Sequence, residues 1–177
     1  MKKTILALLL TVAMLLASGC DALFFFTSED VTFSIDQYNL QITANDNFRE
    51  KTGGAFDLQI TNDHAYVSVM AYSYADLPDG VTPSDAFDLQ NEELFRLRTD
   101  VTVVEEAKTQ TLSQYVLTQA LYSAKKDGVE NYYATYLVDL PSEETFAWVL
   151  VSATPSYFKA NRKSLHGIVC SLQSMQA

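Results

Sequence analysis

The sequence predicts an α+β fold, built from strand hairpins with two helices set among them, the second close to the C-terminus. Three observations carry this reading. Short runs alternate apolar and polar residues with period two, as in Phe56-Asp57-Leu58-Gln59-Ile60-Thr61. Turn chemistry separates the runs, at Asn62-Asp63, Pro78-Asp79-Gly80 and Asp127-Gly128. Two Thr-Pro-Ser tripeptides, Thr82–Ser84 and Thr154–Ser156, each open a segment whose apolar residues recur at helical spacing.

The chain begins with Lys2-Lys3, an almost unbroken apolar run from Thr4 to Leu16, and Ala17-Ser18-Gly19 ahead of Cys20. This is the layout of a secretory signal peptide with small residues at its cleavage position. The run is short for a transmembrane helix, which needs about 20 apolar residues. A cysteine directly after the small residues resembles the signals of bacterial lipoproteins, whose motif is Leu/Ala-Ser/Ala-Gly/Ala-Cys. The resemblance implies cleavage before Cys20 and its alkylation by diacylglycerol. Residues 1–19 are therefore expected to be a lipoprotein signal peptide, 20–30 the lipidated Cys20 with a tether, and 31–177 the folded domain. Two acyl chains anchor durably where one does not, because each buried methylene contributes about 0.8 kcal/mol. Phe24-Phe25-Phe26 either dips into the membrane interface beside the lipid, the favoured reading, or begins the fold.

Within the domain, Phe33 and Ile35 alternate before the phase shifts to Tyr38, Leu40 and Ile42. The slip at Asp36-Gln37 requires a turn or bulge, since one residue of slip reverses the buried face. The strand at Phe56–Ile60 has one wet face and turns at Asn62-Asp63 into Ala65–Tyr74. There Val67, Val69 and Ala71 line one side and Tyr66, Met70 and Tyr72 the other, so both faces are covered. Thr82, Pro83 and Asp85 form a capping-box-like helix start. Ala86, Phe87, Leu94, Phe95 and Leu97 share that helix's apolar face, with Leu89 the exception. Val101–Ala107 is the next strand. Thr111–Ala124 and Glu130–Asp139 read as the arms of a long hairpin about Asp127-Gly128. Phe146–Ala153, apolar on both faces, reads as a central strand. In the last helix Tyr157, Phe158, Leu165, Ile168, Val169, Leu172 and Met175 make one stripe.

This order, with Tyr122-Ser123-Ala124-Lys125-Lys126-Asp127-Gly128, Phe146-Ala147-Trp148-Val149 and Thr154-Pro155-Ser156-Tyr157-Phe158, resembles the PsbP-type domain over roughly residues 31 to 175. That superfamily includes an extrinsic photosystem subunit, a Ran nucleotide-release factor and small bacterial lipoproteins. The resemblance implies a PsbP-like antiparallel sheet of about six or more strands packed between helices, acting by binding rather than catalysis. It supplies no functional-residue motif to carry over, and a shared fold does not transfer a function.

Charge and cysteine content narrow the function. The chain carries −10 overall; without Lys2 and Lys3 ten basic residues face 22 acidic ones, a charge of −12 for the remaining 158 residues. Such a balance disfavours nucleic acid, whose phosphates need Lys and Arg, and flat contact with an anionic bilayer. With Cys20 lipidated, Cys170 stands alone and no internal disulfide forms. Against this acidic background Lys159, Arg162, Lys163 and His166 concentrate positive charge on the last helix. They are the candidate docking surface, toward an acidic partner or the membrane. Tyr132 and Tyr136 share a strand face, and would make an aromatic platform if that face were left open; core packing is the favoured alternative.

No catalytic, cofactor or metal site is expected. His166 and Cys170, four apart on a helix, share a flank, but a thiol at a helix C-terminus meets the negative dipole end, which disfavours the thiolate. Neither a third catalytic group nor a metal-ligand spacing accompanies them. His64 beside Asp63 reads as a turn residue. Glu92-Glu93, Glu105-Glu106 and Glu143-Glu144 lack the alternating Asp/Asn loop with Gly that calcium requires, and read as solvated faces. Gly53-Gly54 reads as a turn rather than a phosphate loop. The expectation is a membrane-anchored extracytoplasmic lipoprotein, on the outer face of the cell membrane, acting as a non-enzymatic binding or scaffold module with a protein partner at the envelope. The alternative is a small-ligand or metal-binding lipoprotein that delivers cargo to an envelope transporter.

Overall fold

Alternation decides the architecture: the period-two runs pair as antiparallel strands into two sheets, and the helical runs cover them. The computed structural model describes residues 29–112 and 114–175. The signal segment, Cys20 and Phe24–Phe26 lie outside the described residues.

A short hairpin comes first, β1 (Asp30–Ile35) and β2 (Leu40–Asn45), joined by a 3-10 turn over Asp36–Tyr38 with Asn39 in the left-handed region. The turn absorbs the expected slip of phase at Asp36-Gln37, and Tyr38 belongs to it rather than to a strand. β3 (Arg49–Glu50), β4 (Leu58–Thr61) and β5 (Ala65–Ser73) follow. Helix α1 (Pro83–Arg96) leads into β6 (Thr99–Thr111), β7 (Val116–Lys126), β8 (Val129–Leu140) and β9 (Thr145–Ala153). Helix α2 (Pro155–Cys170) and β10 (Gln173–Ser174) end the described chain. The large sheet has the order β3-β4-β5-β9-β8-β7-β6, and the small one β1-β2-β10. β9, apolar on both faces, is the central strand of seven. Asp127 and Gly128 turn the β7–β8 hairpin with φ of 52° and 80°, the conformation a two-residue Asp-Gly loop favours.

Each face of the large sheet has its own core. Val67, Val69, Val149 and Val151 face α2 and the small sheet, meeting Leu40, Ile42, Phe158, Leu165 and Val169. On the other face Tyr133, Leu137, Phe146, Trp148 and Leu150 meet Phe87 of α1. Fully burying side chains of this size contributes about 1.5–3 kcal/mol each. The Trp148 indole N–H donates to Asn91 Oδ1 of α1 at 3.1 Å, so the buried amide has its partner.

Three sequence expectations need correction. The apolar stripe extends the last helix to Met175, yet the backbone leaves it after Cys170. The Ser171 hydroxyl accepts from Thr43 N at 2.8 Å and Met175 N donates to Asn39 O at 2.8 Å, so residues 171–175 join β2 instead. Leu97, expected on the buried face of α1, is 75% exposed, because the helix stops at Arg96 and Leu97 is its C-cap. The strand expected at Val101–Ala107 runs from Thr99 to Thr111; it lies at the sheet edge, exposed along nearly its whole length, so no apolar alternation marks its ends.

Candidate functional site

Helix α2 carries two stripes. Phe158, Leu165, Ile168 and Val169 bury into the core. Lys159, Arg162, Lys163 and His166, at spacings of three and four, form an adjoining flank. With Gln119 of β7 and Tyr136 of β8 these four line one open groove of about 470 Å³. The structure thus gathers the expected basic residues, but gives them different roles.

Arg162 is committed to a partner. Its two terminal nitrogens lie 2.5 and 2.6 Å from the carboxylate oxygens of Glu105, a bidentate pair that ties α2 to β6. The hydrogen bond from Arg162 holds the Glu105 carboxyl below the usual carboxylate range. Lys159 Nζ lies 5.5 Å from the centroid of the Tyr132 ring, which meets Phe158 edge-on at 5.7 Å. No salt bridge engages Lys159 or Lys163 among the described residues.

His166 sits half-buried with its ring centroid 5.8 Å from that of Tyr136, and its Nε2 lies 3.3 Å from Cys170 Sγ. Burial, and then the charge of Arg162, lowers the imidazole pKa, so His166 is neutral at neutral pH. Burial pushes the Tyr136 phenol up to about 12. The positive charge facing solvent in the groove is therefore that of Lys159 and Lys163. Such an arrangement can dock an acidic segment through screened, exposed charges. The Cys170 thiol stands on the last turn of α2.

Tyr132 and Tyr136 do share a strand face, but α2 covers it: Tyr136 is 4% exposed and Tyr132 packs against the core, so they form no open platform. His64 lies at the β4–β5 turn and stacks on Tyr157 with centroids 5.1 Å apart. Glu93 pairs with Arg96 along α1, and Glu143 sits in a 3-10 turn after β8. Among the described residues there is no group of three or more His, Cys, Asp or Glu placed to hold a metal ion. None of their helices is long and apolar enough to cross a membrane. Gln119 completes the groove, and Glu105 pairs with Arg162 from outside it, without any sequence signal, since Glu105 stands 57 residues from Arg162.

No family's sequence model and no curated protein matches the chain. Solved structures do share its fold. Cyanobacterial PsbP (CyanoP) from Synechocystis sp. PCC 6803 superposes with a TM-score of 0.61 at 12% identity, covering 89% of this chain and 99% of that one. LpqN of Mycobacterium tuberculosis, described as involved in cell envelope biogenesis, gives 0.57 at 12% identity, covering 85% and 86%. The Ran-binding protein Mog1p of Saccharomyces cerevisiae gives 0.55 at 10% identity, covering 85% and 97%. The fold is that of PsbP and Mog1p, an α+β arrangement expected from the sequence.

Proposed function

We propose that this chain, with the fold of PsbP and Mog1p, is a lipid-anchored extracytoplasmic lipoprotein of the cell envelope. It acts as a non-enzymatic binding module that docks an acidic protein partner on α2. One observation carries the reading: in a chain of net charge −10, Lys159 and Lys163 stand together on one open groove with no carboxylate paired to either among the described residues. The anchor rests on the signal-like run ending at Ala17-Ser18-Gly19-Cys20. The envelope role of LpqN, a protein of the same fold, supports the location.

Crosslinking in the native membrane tests both parts. Cys20→Ser is expected to move the protein from the membrane to the soluble fraction; unchanged retention rules out the lipid anchor. Lys159→Glu with Lys163→Glu is expected to abolish capture of a partner that the wild-type chain holds at low salt and loses at high salt. Equal capture by wild type and double variant, with both folded by circular dichroism, rules out the groove as the docking surface.

A further inference from the structure

Among the residues lining the α2 groove, His166 alone is of a type that changes charge near neutral pH. Arg162 and Lys163 lie one helical turn back on the same flank, and Lys159 one turn further. None of the lining residues is a carboxylate. The groove is thus a concavity of cations and neutral groups, in which one member can gain a proton.

The groups around the imidazole set what that proton meets. On α2, Arg162 and Lys163 repel it, while Cys170 Sγ lies 3.3 Å from Nε2 and can accept from it. Beneath, on β8, Tyr136 remains a neutral phenol, and its ring centroid at 5.8 Å is within reach of a cation–π attraction. β7 contributes the uncharged Gln119, and Tyr115 just ahead of it donates its hydroxyl to the Cys170 carbonyl at 3.3 Å. On β6, Glu105 is already paired with Arg162, and Glu106 and Lys108 stand beside it. The free groove therefore places no unpaired carboxylate on its lining for an imidazolium, and burial with the Arg162 charge lowers the His166 pKa.

We infer that the α2 groove is a pH-gated docking site: protonation of His166 adds a third solvent-facing positive charge beside Lys159 and Lys163, and tightens the hold on an acidic segment as the surroundings acidify. This rests on the reading of the groove as the docking surface. An acidic segment brings the carboxylates that the lining lacks, so its arrival favours the charged imidazole. By linkage the same coupling then favours the segment once the imidazole is charged. His166 is neutral above its ordinary value of about 6.5, so docking is weaker there and strengthens as pH falls through the imidazole titration. A partly exposed charge of this kind is worth about threefold in affinity.

Binding of an octa-aspartate peptide to the full chain in detergent, measured at low salt from pH 8 to pH 5, tests the inference. The wild-type Kd is expected to fall about threefold across that range, and His166→Gln should remove most of the fall. Followed by NMR in the wild-type chain, the midpoint of the His166 Cε1–H titration should rise by about 0.5 pH unit when the peptide is saturating, the same factor of three seen from the proton's side. A wild-type Kd independent of pH with an unmoved His166 midpoint overturns the inference and leaves the docking surface standing. An equal fall in Kd in His166→Gln also overturns it. Binding undiminished by Lys159→Glu with Lys163→Glu, or no binding by the wild-type chain at any pH, overturns the docking surface and this inference with it.

Discussion

Tyr136 joins the sheet to the underside of α2, and its burial couples the fold to alkaline pH. The phenol is raised to about 12 in the folded chain and ionises near 10 when unfolded. The folded state therefore holds the proton more tightly. The contribution is complete below about pH 10 and is lost as pH rises through about 12, a change of roughly 2–3 kcal/mol. Tyr115, also raised to about 12, adds to the same window. Urea unfolding between pH 9 and 12 should show a steep loss of stability that Tyr136→Phe makes shallower; an identical alkaline limb in the variant contradicts the assignment. His166 acts in the opposite sense, its lowered pKa making it a contributor above about 6.5 that is lost on acidification. Residue by residue, the sequence shows that Tyr132 and Tyr136 point the same way, because alternation is local. It does not show the roof, since α2 arrives from about 20 residues further along. The partner of Arg162 was illegible for the same reason, Glu105 standing 57 residues away.

Among the elements, the two helices begin with the same tripeptide but are held differently. Thr82 Oγ1 accepts from Asp85 N at 3.2 Å, and Asp85 Oδ2 accepts from Thr82 N at 2.8 Å, completing a capping box. Hydrogen bonds from Thr82 hold the Asp85 carboxyl below its ordinary value. Thr154 makes no such bond, and with Tyr157 rather than an acid at the third helical position no carboxylate bonds back to its own N–H. Thr82→Ala should cost about 1 kcal/mol, whereas Thr154→Ala should cost a few tenths or less. Equal losses in the two variants, read from urea midpoints at constant m, would refute the distinction. Cap chemistry was legible because it is written within four residues. β10 was not, because Leu172 and Met175 continue the helical apolar spacing and only Ser171, bonded to Thr43, reveals the exit. The extent of β6 was hidden too: a solvated edge strand has no buried face to set a period.

For the molecule as a whole, the two edges of the large sheet are guarded by different means. β3 has only two residues. β6 is long and exposes Val101, Val103 and Val104, but three register shifts break its pairing with β7, and Glu105, Glu106 and Lys108 interrupt the apolar run. Bulges and edge charges of this kind oppose pairing with a second chain. The two helices divide the labour, α1 covering part of one face and α2 with the small sheet closing the other, and open concavities remain on both faces of β8.

The central position of β9 also sets a timetable. β5 is made some 80 residues before the strand that will flank it, and β2 waits longer still for β10. The β7–β8 hairpin closes across two residues and pays little entropy to do so. Pulse-labelled hydrogen exchange should find β7 and β8 protected early, with β5 following and the amides of β2 last. Simultaneous protection of all four would refute this order. While the chain is shorter than about 150 residues, β4 and β5 lack their main neighbour, and an isolated ribbon of this kind is marginal in water. During synthesis the first third of the domain is consequently a waiting, unprotected segment, and its survival depends on how quickly the last quarter follows.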